Sequence, residues 1–151
     1  MARFDGQVAI VTGAGRLRGI GRAAAVRLAE LGAEVYTVER IPELFEQARE
    51  TLGQLHYDKV HTRMGNGTLG WEEEAPFDII LITAGAPEIP GPLLEQLAMK
   101  GRLVIPLEEG YSQVLYVVTR SQKGFHQERG ERCTFVPLIG QYGWKKDPRI
   151  R

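Results

Sequence analysis

Short apolar runs alternate with amphipathic segments along the first two thirds of the chain. The apolar runs predict strands at about 7–12, 34–38, 59–63, 77–83 and 102–106. Apolar residues that recur with a period near 3.6 predict helices at about 19–32, 42–54 and 91–99. Strands that alternate with helices form parallel sheets with right-handed crossovers. The pattern therefore predicts an α/β fold: a Rossmann-like, doubly wound, mainly parallel sheet with helices on both faces.

The last third of the chain departs from this alternation. Residues 112–120 and 131–138 have strand character, and the link between them is polar and contains glycine. This combination predicts a C-terminal antiparallel hairpin at one edge of the sheet. The polar and basic segment 141–151 is predicted to fray. No stretch has the composition of a linker, so residues 1–151 are predicted to form one domain.

A glycine-rich turn follows the first predicted strand, in the sequence VAIVTGAGRLRGIG of residues 8–21. Gly13 permits a sharp turn, Gly19 lets backbone N–H groups approach a pyrophosphate, and Gly21 lets the helix pack against the strand. The helix N-terminus then faces the anion with the positive end of its dipole. This order of parts predicts a site for a small-molecule dinucleotide.

Residues at the ends of the other strands complete the predicted site. Glu39 ends the second strand, where its carboxylate can accept hydrogen bonds from ribose hydroxyls; alternatively it is a solvated carboxylate paired with Arg40. Asn66 lies between two glycines and either reaches the adenine edge or is a turn residue. The candidate cofactor-binding residues are Thr12, Gly13, Gly15, Arg16, Gly19, Ile20, Gly21, Glu39, Arg40, Asn66, Gly67, Thr83, Ala84 and Gly85.

The composition mainly excludes certain partners and sites. The 19 basic and 19 acidic residues give a formal net charge of zero, which offers no argument for nucleic acid or a membrane surface but leaves a homodimer open. No apolar run approaches the roughly 20 residues of a membrane span, and no secretory signal precedes Val8. One cysteine, Cys133, and scattered histidines predict no metal site and a cytoplasmic location.

Two parts of the chain resemble two families. Residues 1–35, through FDGQVAIVTGAGRLRGIGRAAAVRLAELGA, resemble the short-chain dehydrogenase/reductases, which implies NAD or NADP held by its pyrophosphate. Residues 35–145 resemble the protein-L-isoaspartate O-methyltransferases, through VERIPELFEQARETL, GNGTLGWEEEAPFDIILITAGAPEIP, LLEQLAMKGRLVIP and FVPLIG. The second resemblance implies S-adenosylmethionine on the same kind of sheet and methylation of isoaspartyl carboxylates.

A double resemblance of this kind favours an engineered chimera. The Ser–Tyr–Lys set of the reductases is not recognisable, and only seven residues precede Val8, where the methyltransferase family has a substantial N-terminal region. Chemistry requires a positioned reacting partner as well as a cofactor. We therefore expect no complete enzyme activity and assign no catalytic residue.

The charge of the first turn decides the expected cofactor. S-adenosylmethionine carries a sulfonium and an ammonium group, whereas the turn follows Thr12 and carries Arg16, Arg18 and Arg22. These guanidinium groups favour an anion, so NAD is expected ahead of S-adenosylmethionine, and Glu39 disfavours the 2′-phosphate of NADP. The alternatives are NADP or S-adenosylmethionine as ligand, a minimal isoaspartyl methyltransferase, and a folded chimera that binds nothing.

Overall fold

The computed structural model describes residues 3–15 and 18–150, in which strands and helices alternate up to the fifth strand. The strands are β1 (Val8–Thr12), β2 (Glu34–Glu39), β3 (Val60–Met64), β4 (Phe77–Ile82), β5 (Leu97–Glu109), β6 (Ser112–Ser121) and β7 (Gly124–Cys133). The helices are α1 (Ile20–Glu30), α2 (Pro42–Gln54) and α3 (Gly91–Glu95). Two single-turn 3-10 helices, Gly67–Leu69 and Glu72–Glu74, lie between β3 and β4.

All seven strands form one sheet in the order β3-β2-β1-β4-β5-β6-β7. The first five are parallel, while β6 pairs antiparallel with β5 and β7 antiparallel with β6. The predicted mainly parallel α/β sheet with a C-terminal antiparallel hairpin is therefore confirmed. The chain leaves β1 toward β2 on one side and returns to β4 on the other, and such a reversal opens a crevice at the carboxyl ends of the strands.

The sheet is covered by helices on both faces. Successive residues of a strand point to opposite faces, so Ala9 and Val11 contribute to one core and Ile10 to the other. The first core includes Ala25 of α1 and Leu52 of α2. The second includes Phe77, Ile80 and Leu93, the last from α3. Each buried aliphatic side chain of this kind stabilises the fold by roughly 1.5–3 kcal/mol relative to exposure.

The predicted boundaries in the second half of the chain need correction. The second hairpin strand is not 131–138 but β7, and the supposed link is part of it. As an edge strand, β7 has exposed side chains from 124 to 132, so its sequence carries no apolar signal. The predicted helix 91–99 ends at Glu95, because Leu97 already pairs with Phe77 at the start of β5.

Hydrogen bonds hold residues 138–144 beside the 3-10 helix that starts at Gly67. The backbone N–H of Trp144 donates to the carbonyl of Leu138 (2.8 Å), and that of Tyr142 donates to the hydroxyl of Thr68 (3.3 Å). The fraying of 141–151 concerns motion and stays a prediction. In the part of the chain that the structure describes, the longest helix has 13 residues, and none combines the length and apolarity of a membrane crossing.

Candidate cofactor site

A cavity of about 630 Å³ opens at the carboxyl ends of β1, β2 and β4, where the strand order reverses. Ligand pockets for cofactor-sized molecules typically measure roughly 300–1,000 Å³. Ten of the fourteen predicted site residues line it: Thr12, Gly13, Gly19, Ile20, Gly21, Glu39, Arg40, Gly67, Thr83 and Ala84. Gly15, Asn66 and Gly85 lie outside the lining, and Arg16 is outside the described residues. Contact of any of them with a ligand stays a prediction.

Thr12 lines the cavity and carries a buried hydroxyl without a hydrogen-bond partner in the described residues. The residue is 3% exposed, and its hydroxyl oxygen has no hydrogen-bond partner among residues 3–15 and 18–150. Leaving a buried hydroxyl unpaired costs about 1–3 kcal/mol. Because the oxygen has almost no exposed surface, a ligand would reach it only after the side chain rotates, and this contact stays a prediction.

The glycine-rich turn packs too closely for side chains. Gly13 has a φ of +74°, in the left-handed region that favours glycine. A Cβ atom on Gly21 would lie 2.7 Å from the carbonyl oxygen of Gly13 and 2.9 Å from the hydroxyl of Thr83. A Cβ atom on Gly15 would lie 2.6 Å from Oε2 of Glu39. These contacts place the start of α1 directly on β1 and set the turn against the end of β2.

Glu39 is held at the end of β2. It is 9% exposed, and its Oε1 accepts a hydrogen bond from the backbone N–H of Ile41 at 3.0 Å. Among the described residues no ion pair joins it to Arg40, which is exposed. A preorganised carboxylate at this position can accept hydrogen bonds from ribose hydroxyls.

Asn66 and Gly85 support the cavity from outside its lining. Oδ1 of Asn66 accepts hydrogen bonds from the backbone N–H (3.0 Å) and the hydroxyl (2.7 Å) of Thr68, so it caps the 3-10 helix. This geometry favours the turn-residue alternative. Gly85 donates to the carbonyl of Val136 at 2.7 Å and accepts from the N–H of Leu138 at 2.8 Å. Its backbone thus fixes the segment after β7 against the end of β4.

The sequence analysis did not predict two C-terminal segments of the cavity wall. Residues 134–139 and the residues Asp147, Arg149 and Ile150 line the cavity. The sequence FVPLIG at 135–140, which resembles the methyltransferase family, was a usable signal for the first segment. For the second there was none, because a polar, basic tail has no period that predicts where it folds.

The charge of the cavity differs from the expectation based on the turn. Of the three arginines counted for the turn, Arg18 lines the cavity, Arg22 does not, and Arg16 is outside the described residues. The charged lining residues are Arg18, Arg40, Arg149, Glu39 and Asp147. Acidic and basic groups are thus mixed in the lining, so the charge of the cavity does not by itself select an anion. Within residues 3–15 and 18–150 no group of three or more His, Cys, Asp or Glu residues could hold a metal ion.

Comparison with known sequences identifies one family over nearly the whole chain. Residues 7–143 match the family described as Protein-L-isoaspartate(D-aspartate) O-methyltransferase. The chain is 51% identical over 120 residues to the protein-L-isoaspartate O-methyltransferase of Syntrophus aciditrophicus, covering 78% of this chain and 55% of the relative. For that of Geobacter metallireducens the identity is 50% over 127 residues, covering 83% and 58%. The chain thus spans about half the length of the curated relatives that it matches.

Solved structures agree with this family. A Plasmodium falciparum protein described as a protein-L-isoaspartate O-methyltransferase, in complex with S-adenosyl-L-homocysteine, superposes with a TM-score of 0.75 at 30% identity. The match covers 89% of this chain and 66% of that one. A second structure of that enzyme name has a TM-score of 0.81 at 22% identity, covering 92% and 44%, and shows the shared fold.

The interpretation as a non-enzymatic, NAD-binding chimera is wrong. The family match begins at residue 7, so one family includes both the glycine-rich turn and the part after residue 35. The acid after β2 suits the ribose of the adenosine that both cofactors share, so Glu39 did not discriminate between NAD and S-adenosylmethionine. The expectation of no enzyme activity is also wrong, because relatives at about 50% identity are named as enzymes. The chain belongs to the protein-L-isoaspartate O-methyltransferase family.

Proposed function

We propose that this chain forms the S-adenosylmethionine-binding core of a protein-L-isoaspartate O-methyltransferase. The observation that carries the proposal is the cavity where the strand order reverses, lined by Thr12, Glu39 and Thr83. The family match over residues 7–143 supplies the reaction class. The chain spans about half the length of its relatives. The isoaspartyl peptide as methyl acceptor is therefore part of the proposal as well.

The residues of the cavity fit this cofactor. Glu39 would accept hydrogen bonds from the ribose hydroxyls, and the hydroxyl of Thr12 would satisfy its missing hydrogen bond on a polar group of the ligand. Apolar side chains of Val38, Ile41 and Leu44 in the lining offer a surface for the adenine ring. When bound, S-adenosylmethionine supplies an electrophilic methyl group.

The reaction asks little acid–base chemistry of the protein. An isoaspartyl carboxylate is ionised at neutral pH, because ordinary carboxyl pKa values lie near 4, so no general base is needed to activate it. The work of the protein is to hold the two reactants in line and to exclude water. The lack of a recognisable catalytic set in the sequence was therefore poor evidence against an enzyme.

A methyl-transfer assay tests the proposal. The chain is incubated with methyl-labelled S-adenosylmethionine and a peptide that contains isoaspartate, and the matched control is the same peptide with ordinary aspartate. We expect label in the isoaspartyl peptide only, and less with the Thr12→Val variant. If S-adenosylmethionine binds in a calorimetric titration but its methyl group is not transferred, the enzymatic part of the proposal is contradicted. If S-adenosylmethionine does not bind, the whole proposal is contradicted.

Self-association stays a prediction of the sequence. Three half-buried apolar residues lie side by side in the register of β4, β5 and β6: Leu81, Val104 and Val117. An apolar row that remains partly open, in a chain of zero net charge, favours a homodimer. Sedimentation velocity at two protein concentrations tests this, and a monomer at both would contradict it.

A further inference from the structure

The side chain of Gln113 extends the pairing of β6 with the chain beyond the end of β7. Gln113 lies opposite Cys133, the last residue of β7, and its carboxamide reaches forward to the backbone of Phe135. Its Oε1 accepts a hydrogen bond from the N–H of Phe135 at 2.7 Å, and its Nε2 donates to the carbonyl of Phe135 at 3.2 Å. The carboxamide thus pairs with Phe135 as a backbone peptide group of an antiparallel strand would.

Two other elements fix the orientation of this carboxamide. On β5, Oε1 of Glu108 accepts a second hydrogen bond from Nε2 of Gln113 at 2.9 Å. After β4, the backbone of Gly85 lies directly against the amide, since a Cβ atom on Gly85 would collide with Nε2 and would lie 2.6 Å from Cδ of Gln113. If the amide were flipped, its NH₂ group would face the N–H of Phe135, and its oxygen would face the carboxylate of Glu108. One orientation therefore satisfies all three hydrogen bonds.

The segment that Gln113 holds is a wall of the cavity. Residues 134–139 follow β7, belong to no strand or helix, and all line the cavity. The middle of the segment is fixed by Gly85, whose N–H donates to the carbonyl of Val136 and whose carbonyl accepts from the N–H of Leu138. The wall is therefore attached to the sheet at two places, and Gln113 provides the first.

We propose that Gln113 is a positioning residue of the cofactor site, whose carboxamide holds the backbone of Phe135 and thereby sets the wall formed by residues 134–139. The inference rests on the proposed function. Gln113 itself does not line the cavity, so it acts on a ligand only through the segment that it holds. A ligand that meets a wall already in place does not have to order that part of the chain, and its affinity is higher for that reason.

Gln96 forms the same kind of clamp away from the cavity and serves as the matched control. Its Nε2 donates to the carbonyl of Leu69 at 2.8 Å, and its Oε1 accepts from the N–H of Trp71 at 2.9 Å. Neither Gln96 nor its two partners line the cavity. Loss of either glutamine removes comparable hydrogen bonds to the backbone, but only Gln113 holds a segment of the cavity wall.

Titration calorimetry of S-adenosylhomocysteine into the full chain compares Gln113→Leu with Gln96→Leu. Leucine removes the hydrogen bonds of the carboxamide, so both variants should melt at a lower temperature than the wild type. We expect affinity to fall about tenfold in Gln113→Leu and to stay within about twofold of the wild type in Gln96→Leu. Wild-type affinity in Gln113→Leu, or an equal loss in both variants, would overturn the proposal while the proposed function stands. Wild-type protein that does not bind would overturn both.

Gln113→Glu is a second test, which does not depend on the folding of the leucine variant. The introduced carboxyl group faces the carboxylate of Glu108 and the carbonyl of Phe135, and it has no donor for either while it is ionised. The charge of Glu108 favours uptake of a proton, which restores a donor in acid. Cys133 stays neutral in this range, because burial raises the pKa of its thiol. We expect the affinity to lie about tenfold below that of the wild type at about pH 8, and within about threefold at about pH 5. A loss that does not change with pH would overturn the proposal.

Discussion

The hydroxyl of Thr83 donates a hydrogen bond to the backbone carbonyl oxygen of Thr12 over 2.6 Å. The bond joins the end of β4 to the end of β1, at the point where the strand order reverses. Gly13 and Gly21 lie against the same hydroxyl, since a Cβ atom on either would come within 3.0 Å of it. Thr83 therefore ties together the three elements that form the floor of the cavity.

Replacing Thr83 by valine keeps the shape of the side chain and removes the donor. We expect the free energy of unfolding to fall by about 1 kcal/mol, the usual net contribution of one hydrogen bond. Urea denaturation followed by circular dichroism measures the change. Thr83→Ser retains the hydroxyl and serves as the control; a valine variant as stable as the wild type would contradict the stabilising role of this hydrogen bond.

Gly21 is required by packing rather than by its backbone angles. Gly21→Ala would press a methyl group against the carbonyl of Gly13, and overpacking of this kind typically costs about 1–3 kcal/mol. Gly53→Ala is the matched helical control, because a Cβ atom there meets no atom of the described residues within 4 Å. We expect it to stabilise the protein by about 0.5–1 kcal/mol. Thermal melts of both variants check the opposite signs.

Thr12→Val should separate ligand binding from stability. The variant removes a buried hydroxyl that has no partner in the described residues, so stability should be unchanged or higher. Affinity for S-adenosylmethionine should fall by about fivefold to tenfold, which corresponds to one lost hydrogen bond of about 1 kcal/mol. Thr37→Val, at a buried strand position that does not line the cavity, should leave affinity unchanged. Wild-type affinity in Thr12→Val would rule out this contact.

The location of the cavity was largely predictable from sequence. The apolar run 8–11, the glycines after it and the acid after β2 placed a cofactor cavity at the ends of β1 and β2, because parallel strands bring their carboxyl ends together. The identity of the cofactor was not predictable from the same residues. The charge of one loop was taken for the charge of the cavity, whereas Asp147 reaches the cavity from more than a hundred residues away.

The C-terminal third of the chain shows a second limit of prediction from sequence. β7 carries mostly polar residues on both faces, because its side chains are exposed from 124 to 132. Hydrophobic periodicity detects burial and not pairing, so it placed the strand seven residues too late. The position of residues 134–139 follows from the pairing of Gly85 with Val136 and Leu138, a long-range contact that no local pattern reports.

The ion pair between Asp147 and Arg149 of the C-terminal tail should be visible in acid. The pKa of Asp147 is lowered from 3.8 to about 2 in the folded protein, so the pair stabilises the tail above pH 4 and this contribution is lost as the pH falls toward 2. Carbon-detected NMR of the Asp147 carboxyl group gives the titration midpoint. In Arg149→Gln we expect the midpoint to rise toward 3.8. A wild-type midpoint near 3.8 would contradict the contact.

Titration calorimetry with S-adenosylhomocysteine and with NAD tests the central claim most directly, namely that the cavity at the carboxyl ends of β1, β2 and β4 is a site for the methyl donor. We expect S-adenosylhomocysteine to bind with one site per chain, with lower affinity in Thr12→Val, and NAD to give no saturable heat. Saturable binding of NAD, with none of S-adenosylhomocysteine, would contradict it.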